Sequence, residues 1–193
     1  MTVSDGGDTF AQWCIRLAAS DTDALDELFD AMHDRLLAFG VSLVGDVAVA
    51  RDLVQETFIR TWERRATLDA SLSLRALMFR TLKNLASNHR RDARTRDRLL
   101  AQEGAVTMPN ALQPDEVLLA NELDARLRQW VDELPDRQRE ALVLSRYQGL
   151  SHAEVADVMA ITPITVNNHL VKALATLRAR LLASDGEPIG RSA

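Results

Sequence analysis

Apolar residues recur at intervals of three and four along most of this chain, which is the spacing of amphipathic helices. In the first half, one such stripe covers residues 21–39, where we expect Gly40 and Gly45 to loosen the end of the helix, and another covers residues 74–86. Between them, Asp46 can cap a helix whose stripe is Ala50, Leu53, Val54, Thr57, Phe58, Thr61 and Trp62. Alternating Val/Ile/Thr runs, the signature of strands, do not occur. The pattern therefore predicts an all-α protein.

The second half predicts a trio of short helices after Pro135, which breaks a helical stripe at residues 119–134. The first helix of the trio, residues 136–147, ends before Gly149, a residue type common just after a helix C-terminus. Its inward positions should be Ala141, Leu142, Leu144 and Tyr147.

Start signals mark the next two helices. Ser151 followed by Glu154 is a capping box, and the expected apolar set behind it is Ala153, Val155, Ala156 and Met159. After a short turn, Thr162 caps a helix with Pro163 at its first position. Its buried stripe is predicted to be Val166, Leu170, Ala173, Leu174, Leu177 and Leu181. This order of helices is a helix-turn-helix, so we interpret residues 134–182 as a module that binds double-stranded DNA.

Composition divides the chain into two small helical domains joined by a flexible linker. Residues 101–115 contain Gly104, Pro109, Asn110 and Pro114 without periodicity, which is typical of a linker. The predicted domains are therefore residues 8–100 and 116–183. The tail, residues 184–193, is small and polar, and we expect it to be disordered.

The charge of the chain is unevenly distributed. The net charge is −5, yet residues 73–100 hold eight basic and two acidic side chains. On a helix, one side of this block, away from the apolar stripe, carries Arg80, Lys83, Asn84 and the Ser87/Asn88 pair. Basic and amide groups together suit a nucleic-acid backbone and unstacked bases. A solvated helix face is the plain alternative.

The last predicted helix contains no acidic residue, although the chain is acidic overall. Its outer face shows Ile164, Asn168, Val171 and Lys172, flanked by Asn167 and His169. Asparagine can bind an adenine edge through two hydrogen bonds, and lysine can reach guanine or phosphate. A simple three-helix packing unit is the alternative interpretation.

Several function classes are excluded or disfavoured. Cys14 is the only cysteine, so neither an intramolecular disulfide nor a cysteine-rich zinc site can form. No apolar run is long enough to span a membrane, and the N-terminus is no secretory signal, so we expect a cytoplasmic protein. No carboxylate cluster, phosphate loop or nucleophile motif indicates an enzyme, and no cofactor is expected.

Two stretches resemble the extracytoplasmic-function (ECF) group of bacterial sigma factors, within the sigma-70 family. The run ARDLVQETFIRTW at 50–62 resembles region 2.2, with residues 75–91 following as regions 2.3 and 2.4. The run LPDRQRE at 134–140 resembles the start of region 4, and the likeness continues through Tyr147, Gly149-Leu150-Ser151, Glu154-Val155-Ala156 and Thr165-Val166.

The resemblance implies three contact surfaces and no catalysis. Core RNA polymerase, through the clamp helices of its largest subunit, would contact Asp52, Leu53, Gln55, Glu56 and Ile59. The melted −10 element of promoter DNA would contact Arg75, Arg80, Lys83, Asn84, Asn88, His89 and Arg91. The −35 element would contact Ser151, Pro163, Ile164, Asn167, Asn168, His169, Val171 and Lys172. It also suggests binding to the flap of the second-largest subunit and to an anti-sigma factor.

The chain departs from the family pattern at three places. Leu77 and Met78 follow Arg75-Ala76 where the family usually has an aromatic residue, and the loop at 66–73 has neither glycine nor an aromatic residue. Asn-Asn-His at 167–169 stands where many members have more basic residues.

Two other functions are alternatives to a sigma factor. A regulator with a single DNA-binding region is the second hypothesis, and it requires neither the basic block nor the Asp52 helix. An enzyme acting on nucleic acid is the third.

Overall fold

The computed structural model describes residues 5–102 and 122–184, with side-chain environments from Thr9 to Thr95 and from Arg126 to Ser184. Every regular element in these residues is helical, which confirms the predicted all-α class. The chain divides into two compact units, Met1–Gln113 and Pro114–Ala193. No helix in the described ranges is both long and apolar enough to cross a membrane.

The part of the first unit that the structure describes contains four helices. They are α1 (Asp5–Ala18), α2 (Thr22–Val44), α3 (Val47–Glu63) and α4 (Leu74–Gln102), and a single 3-10 turn at Arg65–Thr67 follows α3. The core lies where α2, α3 and α4 pack together, and the rings of Phe39 and Phe79 meet edge to face there at 5.4 Å. Because both rings are buried, they hold α4 against α2.

The connection between α2 and α3 differs in part from the prediction. The carboxylate of Asp46 accepts a hydrogen bond from the Val49 amide at 3.0 Å, so the predicted cap is confirmed. Helix α2 continues to Val44 and ends at Gly45, whose φ is +74°, so the prediction was right for Gly45 and wrong for Gly40. Gly40 is buried, and a Cβ there would lie 3.3 Å from Ala50 Cβ. Its missing side chain lets α2 and α3 approach closely.

Helix α1 is held to α2 by a polar cluster. The indole N–H of Trp13 donates to Glu27 at 2.9 Å, and Arg16 binds both Glu27 and Asp21. The Trp13 hydrogen bond, followed by the Arg16 contact, lowers the pKa of Glu27. Cys14 lies on the buried side of α1, and burial raises the pKa of its thiol. The buried thiol agrees with a packing role.

The second unit contains α5 (Glu122–Asp132), α6 (Asp136–Leu142), α7 (His152–Met159) and α8 (Pro163–Ser184). A π-helical turn, Val143–Tyr147, continues α6. Gly149, at φ +68°, ends this segment as predicted. The capping box of Ser151 and Glu154 is formed, and Thr162 accepts a hydrogen bond from the Thr165 amide at 3.2 Å. The helix-turn-helix is therefore delimited by the residues that the sequence indicated.

Four predicted core positions of this unit were wrong. Tyr147 is 55% exposed, because the π-helical turn changes the register of the last turn after α6. Ala153 is also exposed. Leu174 and Leu181 are 43% and 40% exposed. Both residues lie about 50–75° around α8 from the centre of the side that buries Val166, Leu170 and Ala173.

The described residues include only part of the predicted domain boundaries. Helix α4 continues well beyond Ala86 and ends at Gln102, so the first part of the predicted linker, residues 101–102, is helical. Its remaining part, 103–115, lies outside the described residues. The same holds for residues 116–121 of the predicted second domain and for 185–193 of the predicted tail.

Candidate nucleic-acid interface

Helix α4 presents one polar stripe to solvent. Arg80, Asn84, Ser87 and Arg91 are separated by four, three and four positions, which places them on one line of the helix. We call this line the α4 stripe. The opposite side of the helix is buried and includes Phe79 and Leu82. Asn84, Ser87 and Arg91 are exposed, while Arg80 is half-buried and makes a further polar contact.

The other predicted −10 residues fall into two groups. Lys83 and Asn88 flank the α4 stripe, one on each side, and Asn88 is exposed. Arg75 and His89 are half-buried, and they lie about 140° and about 180° around the helix from Arg80. The structure therefore brings five of the seven predicted residues together and leaves Arg75 and His89 apart.

Arg75 has a partner on the buried side of α4. Its guanidinium lies 5.6 Å from the centre of the Phe10 ring in α1, which is cation–π range. The ring of Phe10 in turn meets Trp13 edge to face at 5.0 Å. Arg75 thus joins α4 to α1, and the sequence offered no signal for this contact because Phe10 lies far away along the chain.

The turn before α4 carries a residue that sequence reasoning missed. Leu72 is 68% exposed, between Ser71 and the helix start. The carboxylate of Asp69 accepts hydrogen bonds from both the amide and the hydroxyl of Ser71, and these bonds lower its pKa. The Ser73 hydroxyl accepts a bond from the Ala76 amide at 3.1 Å. The turn is thus locally ordered and exposes one large apolar side chain beside α4.

Helix α8 presents a different stripe. Ile164, Asn168, Val171 and Ala175 follow one another at spacings of four, three and four, and all four are exposed; we call this line the α8 stripe. Ile164 is 75% and Val171 57% exposed. The helix buries Val166, Leu170 and Ala173 on its opposite side, so the stripe is not part of the core.

The remaining predicted −35 residues take different places. Asn167 and Lys172 flank the α8 stripe and are exposed, and Pro163 is exposed at the first position of the helix. His169 is half-buried and lies about 100° from Asn168, on the inward flank. The Ser151 hydroxyl accepts a hydrogen bond from the Glu154 amide at 3.3 Å, so this side chain caps α7.

Helix α3 carries the third predicted surface. Asp52, Gln55 and Ile59 lie on one line and are exposed, with Ile59 at 44%; we call this the α3 line. Leu53 is half-buried, and Glu56 is half-buried in an ion pair with Arg60 at 2.7 Å. Three of the five predicted residues therefore form the accessible line, and Leu53 and Glu56 lie half-buried beside it.

Phe29 of α2 is a further exposed apolar residue that sequence reasoning missed. It is 43% exposed, and its ring lies 4.9 Å from that of Phe58, the neighbour of Ile59. Its sequence position fits the apolar stripe of α2, so the pattern placed it in the core. In the residues that the structure describes, no group of three His, Cys, Asp or Glu side chains is arranged to hold a metal ion.

Family models match both units. The model of sigma-70 region 2 matches residues 28–96, and the model of sigma-70 region 4 matches residues 124–177. The α3 line and the α4 stripe lie within the first match, and the α8 stripe lies within the second. Both regions occur in the order that the sequence motifs predicted.

Similar proteins agree with these matches. The ECF RNA polymerase sigma factor SigL of Mycobacterium tuberculosis is 32% identical over 166 residues, covering 85% of this chain and 92% of SigL. The ECF RNA polymerase sigma factor EcfG of Rhodopseudomonas palustris is 31% identical over 170 residues, covering 88% and 91%. The solved structure of CnrH, in complex with the cytosolic domain of CnrY, has a TM-score of 0.65 at 23% identity and covers 91% of this chain and 98% of CnrH.

A second solved structure shares the fold. It is the sigma factor RpoE of Bartonella quintana in complex with the anti-sigma factor NepR, with a TM-score of 0.61 at 24% identity, covering 81% of this chain and 95% of RpoE. At these identities the structures establish the fold, whereas the two family models and the more similar SigL and EcfG establish the family. The chain belongs to the ECF group of RNA polymerase sigma factors, within the sigma-70 family.

Proposed function

We propose that this sigma factor binds core RNA polymerase and the two promoter elements through three separate exposed helix faces. The α3 line docks on the clamp helices of core RNA polymerase, the α4 stripe contacts the melted −10 element, and the α8 stripe binds the −35 element in the major groove. Directing core polymerase to promoters is the function of the family. The residue assignments are the proposal.

The observation that carries the proposal is the exposed face of α8 in a delimited helix-turn-helix. Such a face enters the major groove with its first turns, where it meets base edges. Asn168 and Lys172 are exposed on or beside this face, and α8 contains no acid that would repel phosphate. These features support an assignment to duplex DNA rather than to packing.

The α4 stripe suits a different form of DNA. Arg80 and Arg91 provide positive charge, and Asn84 with Asn88 provides amide donors and acceptors. Such a mixture binds backbone and unpaired bases, whose Watson–Crick edges and faces are accessible only after the strands separate. Leu72, exposed next to this helix, adds an apolar surface on which an unstacked base can rest.

The α3 line combines charge and exposed apolar area, which is typical of a protein interface. Ile59 is its exposed apolar anchor, and Asp52 and Gln55 are polar groups on the same line. We also propose the flap of the second-largest polymerase subunit and an anti-sigma factor as partners. RpoE of Bartonella quintana is bound to such a factor.

The −35 assignment is tested by run-off transcription with holoenzyme reconstituted from core polymerase and the full chain. A promoter is first selected with the wild-type holoenzyme from a library randomised over the −35 and −10 positions. The double variant Asn168→Ala/Lys172→Ala should lower transcription about tenfold or more, because losing the base contact of Asn168 costs about 1–3 kcal/mol and losing Lys172 removes attraction to phosphate. The matched control is Arg128→Ala, exposed on α5 of the same unit. Unchanged transcription from the double variant would refute the assignment.

The docking assignment is tested separately by binding to core polymerase. Ile59→Arg places a charge at an apolar contact and should weaken the complex at least tenfold, measured by fluorescence anisotropy of the labelled chain. Asp26→Ala, on the exposed face of α2, is the control. A chain that binds promoter duplex tightly by itself and has no affinity for core polymerase would instead be a regulator with one DNA-binding region.

A further inference from the structure

The α8 stripe is mainly apolar, which is unusual for a face that meets DNA. Ile164, Val171 and Ala175 stand on it beside Asn168, and the first two are among the most exposed large apolar side chains in the described residues. They are not needed for packing, because α8 buries Val166, Leu170 and Ala173 on the other side. An exposed branched apolar residue on a DNA-binding face gains most from contact with an apolar group of the DNA, because that contact removes apolar surface from water.

The major groove offers one such group. Of the four bases, only thymine carries a methyl group at the groove edge, while the other bases present hydrogen-bond donors and acceptors there. The apolar residues of the stripe are separated by amide and ammonium groups, so they meet isolated apolar spots within a polar surface. That alternation matches thymine methyls set among polar base edges.

The spacing of the two residues also fits DNA. Ile164 and Val171 are seven positions apart, about 10 Å along the helix axis. Successive base pairs are separated by about 3.4 Å, so the two side chains span about three base-pair steps. Asn168 lies between them on the same line, where it can bind an adenine edge through two hydrogen bonds.

We propose that Ile164 and Val171 determine −35 specificity by contacting thymine C5-methyl groups about three base-pair steps apart, on either strand. This inference rests on the proposed role of α8 as the helix that binds the −35 element. It adds to that role the chemical group on the DNA that α8 recognises, which is the thymine methyl. Lys172, at the edge of the stripe, then supplies attraction to the backbone rather than the choice of base.

Replacement of thymine by deoxyuridine tests this directly, since it removes the methyl and leaves every base-pairing group in place. Synthetic templates carry the selected promoter with single replacements in the −35 element, and holoenzyme containing the full chain initiates on them. Removing a contacted methyl should lower the initiation rate about fourfold, the factor that corresponds to burying one methyl-sized group. Replacements upstream of the element should have no effect.

Two variants identify the protein side of each contact. With Val171→Ala, one of the sensitive positions should become insensitive to deoxyuridine, and with Ile164→Ala the other should. Both changes are at exposed helix positions, and alanine has the higher helix propensity, so the fold is preserved. Leu182→Ala, an exposed apolar change well beyond the base-contacting positions, is the matched control and should keep both sensitivities.

Three results would overturn the inference. They are a selected −35 element with no thymine on either strand, equal initiation on thymine and deoxyuridine templates, or variants that retain the wild-type sensitivity at both positions. If Asn168→Ala/Lys172→Ala still lowers transcription in these cases, α8 remains the −35 helix and only the methyl contact fails. If that double variant also has no effect, the proposed function of α8 fails with it.

Discussion

The α4 and α8 stripes lie on the two helices that we propose contact DNA, yet their chemistry is opposite. The α4 stripe contains two arginines, an asparagine and a serine, and Lys83, Arg90 and Arg94 are nearby on the same helix. The α8 stripe contains three apolar residues and one asparagine, and Arg180 of the same helix is engaged with Glu133. Helix α4 thus presents mainly positive charge, whereas α8 presents apolar side chains and an amide that can form hydrogen bonds.

This difference indicates how a net-negative protein can bind DNA selectively. A helix that binds mainly through phosphates holds any sequence, and its affinity falls steeply with salt. A helix that binds mainly through base edges contributes selectivity and little salt dependence. We infer that α4 provides most of the electrostatic attraction, whereas α8 provides discrimination between duplex sequences.

The largest expected effect comes from removing charge from the α4 stripe. Arg80→Ala/Arg91→Ala should lower transcription at least tenfold on every promoter, because charge-assisted hydrogen bonds contribute about 1.5–3 kcal/mol each. The salt dependence of open-complex formation should also decrease, by about one in log–log slope for each removed charge. Filter-binding and permanganate footprinting over a series of salt concentrations provide the measurements.

The Asn168→Ala/Lys172→Ala variant is the counterpart for this comparison. It should change promoter choice strongly and reduce the salt slope by no more than about one, since it removes a single charge. If the α4 and α8 variants showed the same salt slopes and the same promoter dependence, the inferred difference between the helices would be wrong. That difference is electrostatic attraction by α4 and sequence discrimination by α8.

A smaller effect is expected from Arg75→Ala. Arg75 lies on the buried side of α4 over Phe10. Its loss should lower the stability of the first unit by about 0.5–1 kcal/mol, the usual range for a cation–π pair. Transcription at a temperature where the unit is folded should stay within about twofold of wild type. Thermal unfolding and run-off assays measure the two quantities. A loss of transcription as large as that of Arg80→Ala, at unchanged stability, would return Arg75 to the promoter-binding set.

The smallest effect concerns pH and the attachment of α1 to α2. Hydrogen bonds from Trp13 and Arg16 hold the pKa of Glu27 below its usual value. The ionised carboxylate therefore stabilises the fold above about pH 4.3, its pKa in an unfolded chain. This stabilisation disappears as pH falls through the folded pKa. The unfolding temperature of wild type should thus drop more between about pH 5 and about pH 3 than that of Glu27→Gln.

The control for this measurement is Glu63→Gln, which removes an exposed carboxylate at the end of α3. Its pH profile should follow that of wild type. Identical profiles for wild type and Glu27→Gln would show that the cluster does not stabilise the unit.

Local signals in the sequence identified most helix starts and ends. Asp46, Ser151 and Thr162 each use a side-chain oxygen to satisfy an amide at a helix start, and Gly45 and Gly149 adopt the left-handed conformation that ends a helical segment. These are interactions between residues only a few positions apart. A pattern in the sequence is therefore sufficient to predict them.

Predictions failed where burial depended on the length or position of a distant element. Leu174 and Leu181 have core-like spacing, but they lie at the flank of the buried side of α8, where the packing leaves them exposed. Gly40 resembles a helix terminator, yet it is the site of the α2–α3 crossing next to Ala50. Phe29 fits the α2 stripe but lies at its exposed edge, against Phe58.

The sequence by itself determined the helical class, the helix caps, the order of the two sigma regions and the basic character of α4. Only the tertiary structure decided where burial departs from the helical periodicity. It placed Arg75 against Phe10 of α1 and left Leu174 and Leu181 exposed although their spacing is core-like. The physical reason is that periodicity defines a helix face, whereas burial depends on which distant helices pack against that face.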